Sequence, residues 1–158
     1  MRIIVLGATG MAGTAVVNEA LSRGHEVTAV SRRRRHRAGA GVTSCLLDVT
    51  DVESVADLLE DGDAAVVALR PPAGHESDLV RLTEAVLDAA SRSRTPLLII
   101  GGAAPLSSPS DPGTLAIDDS TIVPPAWKDV AQASLDQFRA CQAHGYEGWV
   151  YLSPPAIF

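Results

Sequence analysis

The sequence predicts an α/β fold: a doubly wound parallel sheet with helices on both sides. Three observations carry that prediction. Short apolar or β-branched runs alternate with longer stretches of helical spacing, and each connection is long enough for a crossover helix. Residues 64–69, Ala-Ala-Val-Val-Ala-Leu, are apolar throughout, as a strand covered on both faces should be. The first run, Ile3-Ile4-Val5-Leu6, leads straight into Gly7-Ala8-Thr9-Gly10-Met11-Ala12-Gly13, a glycine turn that opens a helix.

Each element has its own signal. Residues 14–21 continue the first helix, and Arg23-Gly24 marks its end, since glycine is favoured just past a helix C-terminus. Val27-Thr28-Ala29-Val30 is a β-branched second strand with Ser31-Arg32-Arg33 at its tip, and Thr43-Ser44-Cys45-Leu46-Leu47 a third. Thr50 followed by Glu53 reads as a capping box for a helix with Val55, Ala56, Leu58 and Leu59 on its apolar face. The fourth strand, 64–69, ends at Arg70-Pro71-Pro72. Leu79, Leu82, Ala85, Val86 and Ala89 then recur at helical spacing, before a fifth strand, Leu97-Leu98-Ile99-Ile100, that closes on Gly101-Gly102. Residues 103–125 show no period and hold or border five prolines; so long a gap in a compact domain is functional or mobile. A last helix carries Trp127, Val130, Ala131, Ser134, Leu135, Phe138 and Cys141 on one face and stops at His144-Gly145. Trp149-Val150-Tyr151-Leu152 is the final strand.

Length and composition bound the function. At 158 residues the chain is expected to be one domain, 1–158, and a hydrophobic content of 46% excludes general disorder. No apolar run reaches the roughly 18 residues of a membrane span. Met1-Arg2 enters the first strand at once, which leaves no room for a signal peptide, and a cytoplasmic location is expected. Cys45 and Cys141 read as reduced core thiols, and no metal site is expected. A net charge of -6 argues against nucleic acid as the main partner, despite the local run Arg32-Arg33-Arg34-Arg35-His36-Arg37. A small-molecule substrate is the expected partner, and a homo-oligomer stays open.

The glycines suggest what the fold holds. Gly7 lets the chain turn sharply off the strand, Gly10 leaves bare backbone against which a diphosphate can lie on the helix N-terminus, and Gly13 lets the helix pack closely. In such folds the tip of the second strand lies beside the adenosine ribose, where an acid holds the 2′-hydroxyl of NAD and an arginine suits the 2′-phosphate of NADP. No Asp or Glu stands between Val30 and Asp48, and Arg32 and Arg33 occupy the tip, so NADP is expected over NAD. Asp48 either accepts a hydrogen bond from an adenine amino group or turns back on its own backbone.

The pattern resembles the atypical short-chain dehydrogenase/reductase group in its NAD(P)H-binding, NmrA-like branch. The matching pieces are Gly7-Ala8-Thr9-Gly10-x-x-Gly13, Gly24-His25-Glu26-Val27-Thr28-Ala29-Val30, Arg32, Asp48-Val49-Thr50-Asp51, Gly101-Gly102-Ala103 and Tyr151-Leu152-Ser153-Pro154. The resemblance implies a Rossmann fold in which Gly7, Thr9, Gly10, Met11 and Gly13 line the pyrophosphate. It further implies that Arg32, with Arg33 beside it, takes the 2′-phosphate, that Asp48-Val49 meets the adenine, and that Ala68, Leu69 and Arg70 pass the nicotinamide ribose, with Gly101 nearby. Two departures stand out. Where relatives often carry a serine two residues after Gly-Gly-Ala, this chain has Pro105, which can donate no proton. The sequence also stops at Phe158, without the C-terminal segment that in relatives walls the substrate side.

Candidates for chemistry are few. The Tyr-x-x-x-Lys pair of the wider superfamily is absent, since Tyr146 and Tyr151 are followed four residues on by Val150 and Pro155. Lys128, the only lysine, shares a polar stripe with Gln132, Asp136 and Arg139 and reads as solvent-facing, or as a ligand contact at the end of the long loop. Arg70 pairs with a phosphate or carboxylate, or caps the sheet edge. His75 is a general acid or an exposed loop residue. Ser107, Ser108 and Ser110 read as loop polarity. Two functions follow: an NADPH-dependent oxidoreductase acting on a small carbonyl or conjugated acceptor, or a non-catalytic NADP(H)-binding redox sensor.

Overall fold

The computed structural model describes residues 1–33 and 39–154. Most of the basic run, Arg34 to Arg37, lies outside the described residues.

Six strands form one parallel sheet in the order β3-β2-β1-β4-β5-β6: β1 (Arg2–Leu6), β2 (Glu26–Ser31), β3 (Val42–Leu46), β4 (Ala64–Val67), β5 (Leu97–Ile100) and β6 (Trp149–Leu152). The order reverses between β1 and β4, so their carboxyl ends diverge into a crevice, the place where doubly wound sheets take ligands. The register brings Leu6 level with both Val30 and Val67, which puts the tips of β2, β1 and β4 side by side.

Alternation along the strands splits the core into two layers. Ile4, Leu6, Ala65, Val67, Leu97 and Ile99 face helices α2 (Val52–Glu60), α3 (Asp78–Ser93) and α4 (Lys128–Ala143). Val5, Val27, Ala29 and Val66 face α1 (Met11–Ser22) through Val17 and Ala20. Side chains such as Leu6, Leu59, Leu87 and Ile99 are closed from solvent, each contributing roughly 1.5–3 kcal/mol of burial. Cys141 sits in the first layer, where burial pushes its thiol up to about 11.

Four expectations need correction. The cap of α2 is Asp51, whose carboxylate accepts from the Ser54 amide and hydroxyl, whereas the Thr50 hydroxyl donates to Asp48; the Thr50–Glu53 capping box does not form. β4 ends at Val67, so Ala68 and Leu69 have left the sheet and border the crevice. Trp127 is not on the face of α4: it precedes the helix and is 57% exposed, while Gln137, unremarked in the sequence, is 1% exposed. The stretch 103–125 is folded. Ser107 bridges Leu115, single 3-10 turns occupy Ala116–Asp118 and Pro125–Trp127, and Ala104 and Ile117 pack on Leu135 of α4.

Candidate functional site

The crevice is built by backbone before it is furnished by side chains. Gly7 takes a φ of 87° while its N–H and that of Ala8 both donate to the Val30 carbonyl, tying the turn to the tip of β2. A methyl on Gly7 would overlap the Ala68 carbonyl, and one on Gly13 would overlap the Gly7 carbonyl; these two glycines are packing requirements. Gly10 differs. Its backbone is extended, and a methyl there would meet only the Gly7 carbonyl, at 3.4 Å, with open space beyond. No side chain caps α1, so the N–H groups of its first turn face outward with the helix dipole behind them.

A groove of about 230 Å³ runs past this turn. Gly7, Thr9 and Gly10 form its floor; Val30, Ser31 and Arg32 form one wall; Leu47 and Val49 close one end, and Ala68, Leu69 and Arg70 the other. Eight of the residues singled out in the sequence therefore meet here: Gly7, Thr9, Gly10, Arg32, Val49, Ala68, Leu69 and Arg70. Val30, Ser31 and Leu47 were not singled out; register was the available signal, because they are the last residues of β2 and the first beyond β3. Gly13 lies buried beneath the floor, Met11 stands exposed at the start of α1, and Arg33 is exposed and lines no part of the groove. Asp48 is turned toward its own chain: one carboxylate oxygen accepts from the Thr50 amide at 3.0 Å and hydroxyl at 2.8 Å, which holds its carboxyl below the usual range. Gly101 is outside the groove too. Its N–H donates to the Leu152 carbonyl, and a side chain there would run into the Tyr151 ring.

Two further cavities continue the crevice beyond Arg70. The first, about 480 Å³, is lined by Arg70, Pro71, Ala73, Glu76 and Leu79 on one side and by Ala126, Trp127, Val130 and Ala133 on the other. Glu76 is held ionised here, its carboxyl kept low by its own backbone N–H and that of Gly74. The second, about 690 Å³, lies past Trp127, between Gly102-Ala103-Ala104, residues 121–124 and α4.

The wall of the second cavity is fixed by one carboxylate. Asp119 accepts from the hydroxyls of Ser108 at 2.6 Å, Thr121 at 2.5 Å and Ser110 at 2.8 Å, and from the Thr121 amide, which together push its carboxyl far below the usual range. Ser108 and Ser110 thus organise the loop, which corrects their reading as loop polarity. Lys128 corrects another: its ammonium donates to the Ile117 carbonyl at 2.7 Å and stands 3.5 Å from Asp118, fastening the loop to α4. His75 is 67% exposed, 3.8 Å from Asp78, and lines neither cavity.

Behind α4 runs a buried polar chain. The Tyr151 hydroxyl shares its one proton between the Ser134 carbonyl and Gln137 Oε1, Gln137 Nε2 donates to the Thr83 hydroxyl, and that hydroxyl donates to the Leu79 carbonyl. With its own proton committed, Tyr151 stands as acceptor to the Ser134 hydroxyl 3.3 Å away.

The sheet order, the glycine turn and the groove at the switch point define the class: a Rossmann-type dinucleotide-binding protein. Comparison with known proteins narrows it. Residues 7–157 match the NAD(P)H-binding family model, and the chain belongs to that family. The uncharacterized Bacillus subtilis protein YwnB is 30% identical over 159 residues, an alignment covering all of this chain and 73% of YwnB. A solved Burkholderia pseudomallei protein, provisionally described as exported, superposes with a TM-score of 0.82 at 32% identity over 98% of this chain and 72% of its own. A Streptococcus pneumoniae protein provisionally named an NADH-flavin reductase gives 0.83 at 27% identity, over 98% and 71%. Among the described residues, no helix is long and apolar enough to cross a membrane.

Proposed function

We propose that the chain binds NADP(H) and acts as an oxidoreductase on a small carbonyl or conjugated acceptor. The observation that carries the cofactor choice is the charge of the groove: its two ionisable lining residues are Arg32 and Arg70, while Asp48, near enough to feel the Arg32 charge, is not among the lining residues and is bonded to Thr50. Arg32, at the β2 tip, would take a 2′-phosphate, and the wall there offers no acid for a free 2′-hydroxyl. Gly10 and the first turn of α1 would hold the diphosphate, Val49 and Leu47 the adenine, and Ala68, Leu69 and Arg70 the second ribose. When bound, the reduced nicotinamide supplies a hydride; the protein's part is to hold it beside the acceptor and exclude other reactions. A neighbour's naming as an NADH-flavin reductase supports reductase chemistry.

A non-catalytic NADP(H)-binding sensor is the second reading, and the engagement of Lys128 favours it, because the one ammonium near the mouth is spent on holding a loop. Calorimetric titration with NADPH and NADH tests the cofactor. Wild type should prefer NADPH; Arg32→Ala should lose about 10- to 100-fold for NADPH, the worth of one charge-assisted contact, with NADH unchanged. Equal affinities in wild type would overturn the choice. NADPH oxidation with quinones, flavins and aldehydes separates enzyme from sensor.

A further inference from the structure

We propose that the acceptor site has two compartments divided by Trp127, and that its substrate is an amphiphile whose polar, reacting end lies by Arg70 and whose neutral apolar tail occupies the cavity beyond the indole. This rests on the reading of the adjoining groove as the nicotinamide site.

Three observations lead there. The spaces are contiguous: Arg70 borders both the groove and the first cavity, and Trp127 and Val130 border both the first cavity and the second. A 57% exposed tryptophan on the shared wall, part of no core cluster, is a large apolar surface kept at the solvent edge. The two cavities differ in chemistry. The first holds a permanent cation, Arg70, and an ionised acid, Glu76; the second has no ionisable lining residue. Its two hydroxyls have committed their protons, Thr121 to Asp119 and Ser134 to the already donating Tyr151. A charge placed there would meet no lining side chain of opposite charge, whereas an alkyl or alicyclic group would bury apolar surface against Ile122, Val123, Pro124 and Ala131. Both cavities fall in the size range of small-molecule sites. The second is preformed, since Asp119 and Lys128 fix its outer wall before any ligand arrives.

The chain has two tryptophans, so Trp149→Phe leaves Trp127 as its single indole reporter. Titrating that protein, without cofactor, with methyl ketones from about six to ten carbons should quench or shift its emission with affinity rising about fourfold per methylene. Dicarboxylates of matched length, which would force a charge past Trp127, should gain nothing. Ala131→Phe should abolish the gain for the long ketones and spare the short ones; Ile122→Phe, on the opposite wall, repeats the test if the first variant fails to fold. Affinity flat with chain length, or dicarboxylates gaining as ketones do, would overturn the proposal. NADPH titration of the same protein keeps the two readings apart. Binding of NADPH without a chain-length effect sinks the compartments alone; a chain-length effect without NADPH binding supports them and sinks the cofactor reading.

Discussion

Gly10→Ala separates binding from folding more cleanly than any other change in the turn. The methyl would stand 3.4 Å from the Gly7 carbonyl and otherwise project into open groove, on backbone that any residue adopts. The fold should therefore lose only what alanine loses to glycine as an N-cap, about 0.5–1 kcal/mol, or about 1–4 °C for a chain of this size. Nucleotide binding should suffer far more. The methyl would lift a diphosphate off the first-turn N–H groups of α1, and one lost charge-assisted hydrogen bond, about 1.5–3 kcal/mol, weakens the Kd roughly 10- to 100-fold. Gly13→Ala is the control of opposite sign. In an unencumbered helix it would gain about 1 kcal/mol, but here its methyl collides with the Gly7 carbonyl, and forced backbone movement costs about 1–3 kcal/mol or more. Thermal melts and NADPH calorimetry on both variants check the pair. A Gly10→Ala protein binding like wild type, or a Gly13→Ala protein melting higher than wild type, would refute the reasoning that gives the first glycine to the ligand and the other to packing.

Asp119→Asn should lower the Tm at neutral pH and flatten its acid limb. The native carboxyl titrates below its ordinary value of 3.8, because Ser108, Thr121 and Ser110 hydrogen-bond the charged form. Its contribution to stability is therefore complete above that ordinary value and drains away as pH falls below it, so melts from about pH 5 to 2 check the sign. Gln137→Leu should cost about 1–2 kcal/mol, or about 2–8 °C. The figure is modest because Tyr151 keeps the Ser134 carbonyl and Thr83 keeps the Leu79 carbonyl; a loss several times larger in a calorimetric melt would mean that the chain is more cooperative than its pairs. His75→Gln should leave kcat/KM and its pH profile between about pH 6 and 8 unchanged, since the ring lines neither cavity. A tenfold loss, or the disappearance of an ionisation from the profile, would make it the acid.

The sheet was legible because backbone periodicity is written locally: apolar strands, helical spacing, and, in the first turn, glycines at the two positions where a side chain would strike backbone. Gly24, at a φ of 77°, ended α1 where its sequence said it would. Apart from the ends of β4 and of α4, where the sequence draws a strand and a helix boundary too wide, the misreadings involve a side chain choosing among partners. Thr50, Asp51 and Ser54 compete for one helix start, and the sequence pattern of Thr50 and Glu53 does not reveal that Asp48 has already taken the Thr50 hydroxyl. Gln137 looks polar and peripheral until Thr83, 54 residues away, supplies the donor's partner. The loop lacks a period because Asp119 gathers hydroxyls 11, 9 and 2 residues away, and such a hub has no spacing rule.

The same commitments narrow the chemistry the mouth can support. Around the two cavities the Thr121 and Ser134 hydroxyls donate within the protein, Lys128 is drawn to the Ile117 carbonyl and lines neither cavity, Tyr151 is pushed upward by burial and bonded inward, and Glu76 is held as a carboxylate. The cation lining the first cavity is Arg70, a permanent charge that can steady a developing anion but does not release a proton. A simple aldehyde, reduced to an alkoxide, needs a donor at the oxygen as the charge appears. A conjugated acceptor spreads the charge over several atoms and can collect its proton from water afterwards. Within the proposed function, a site rich in position and charge but poor in free acids suits the conjugated acceptor, and it explains how this chain can dispense with the Tyr-x-x-x-Lys pair.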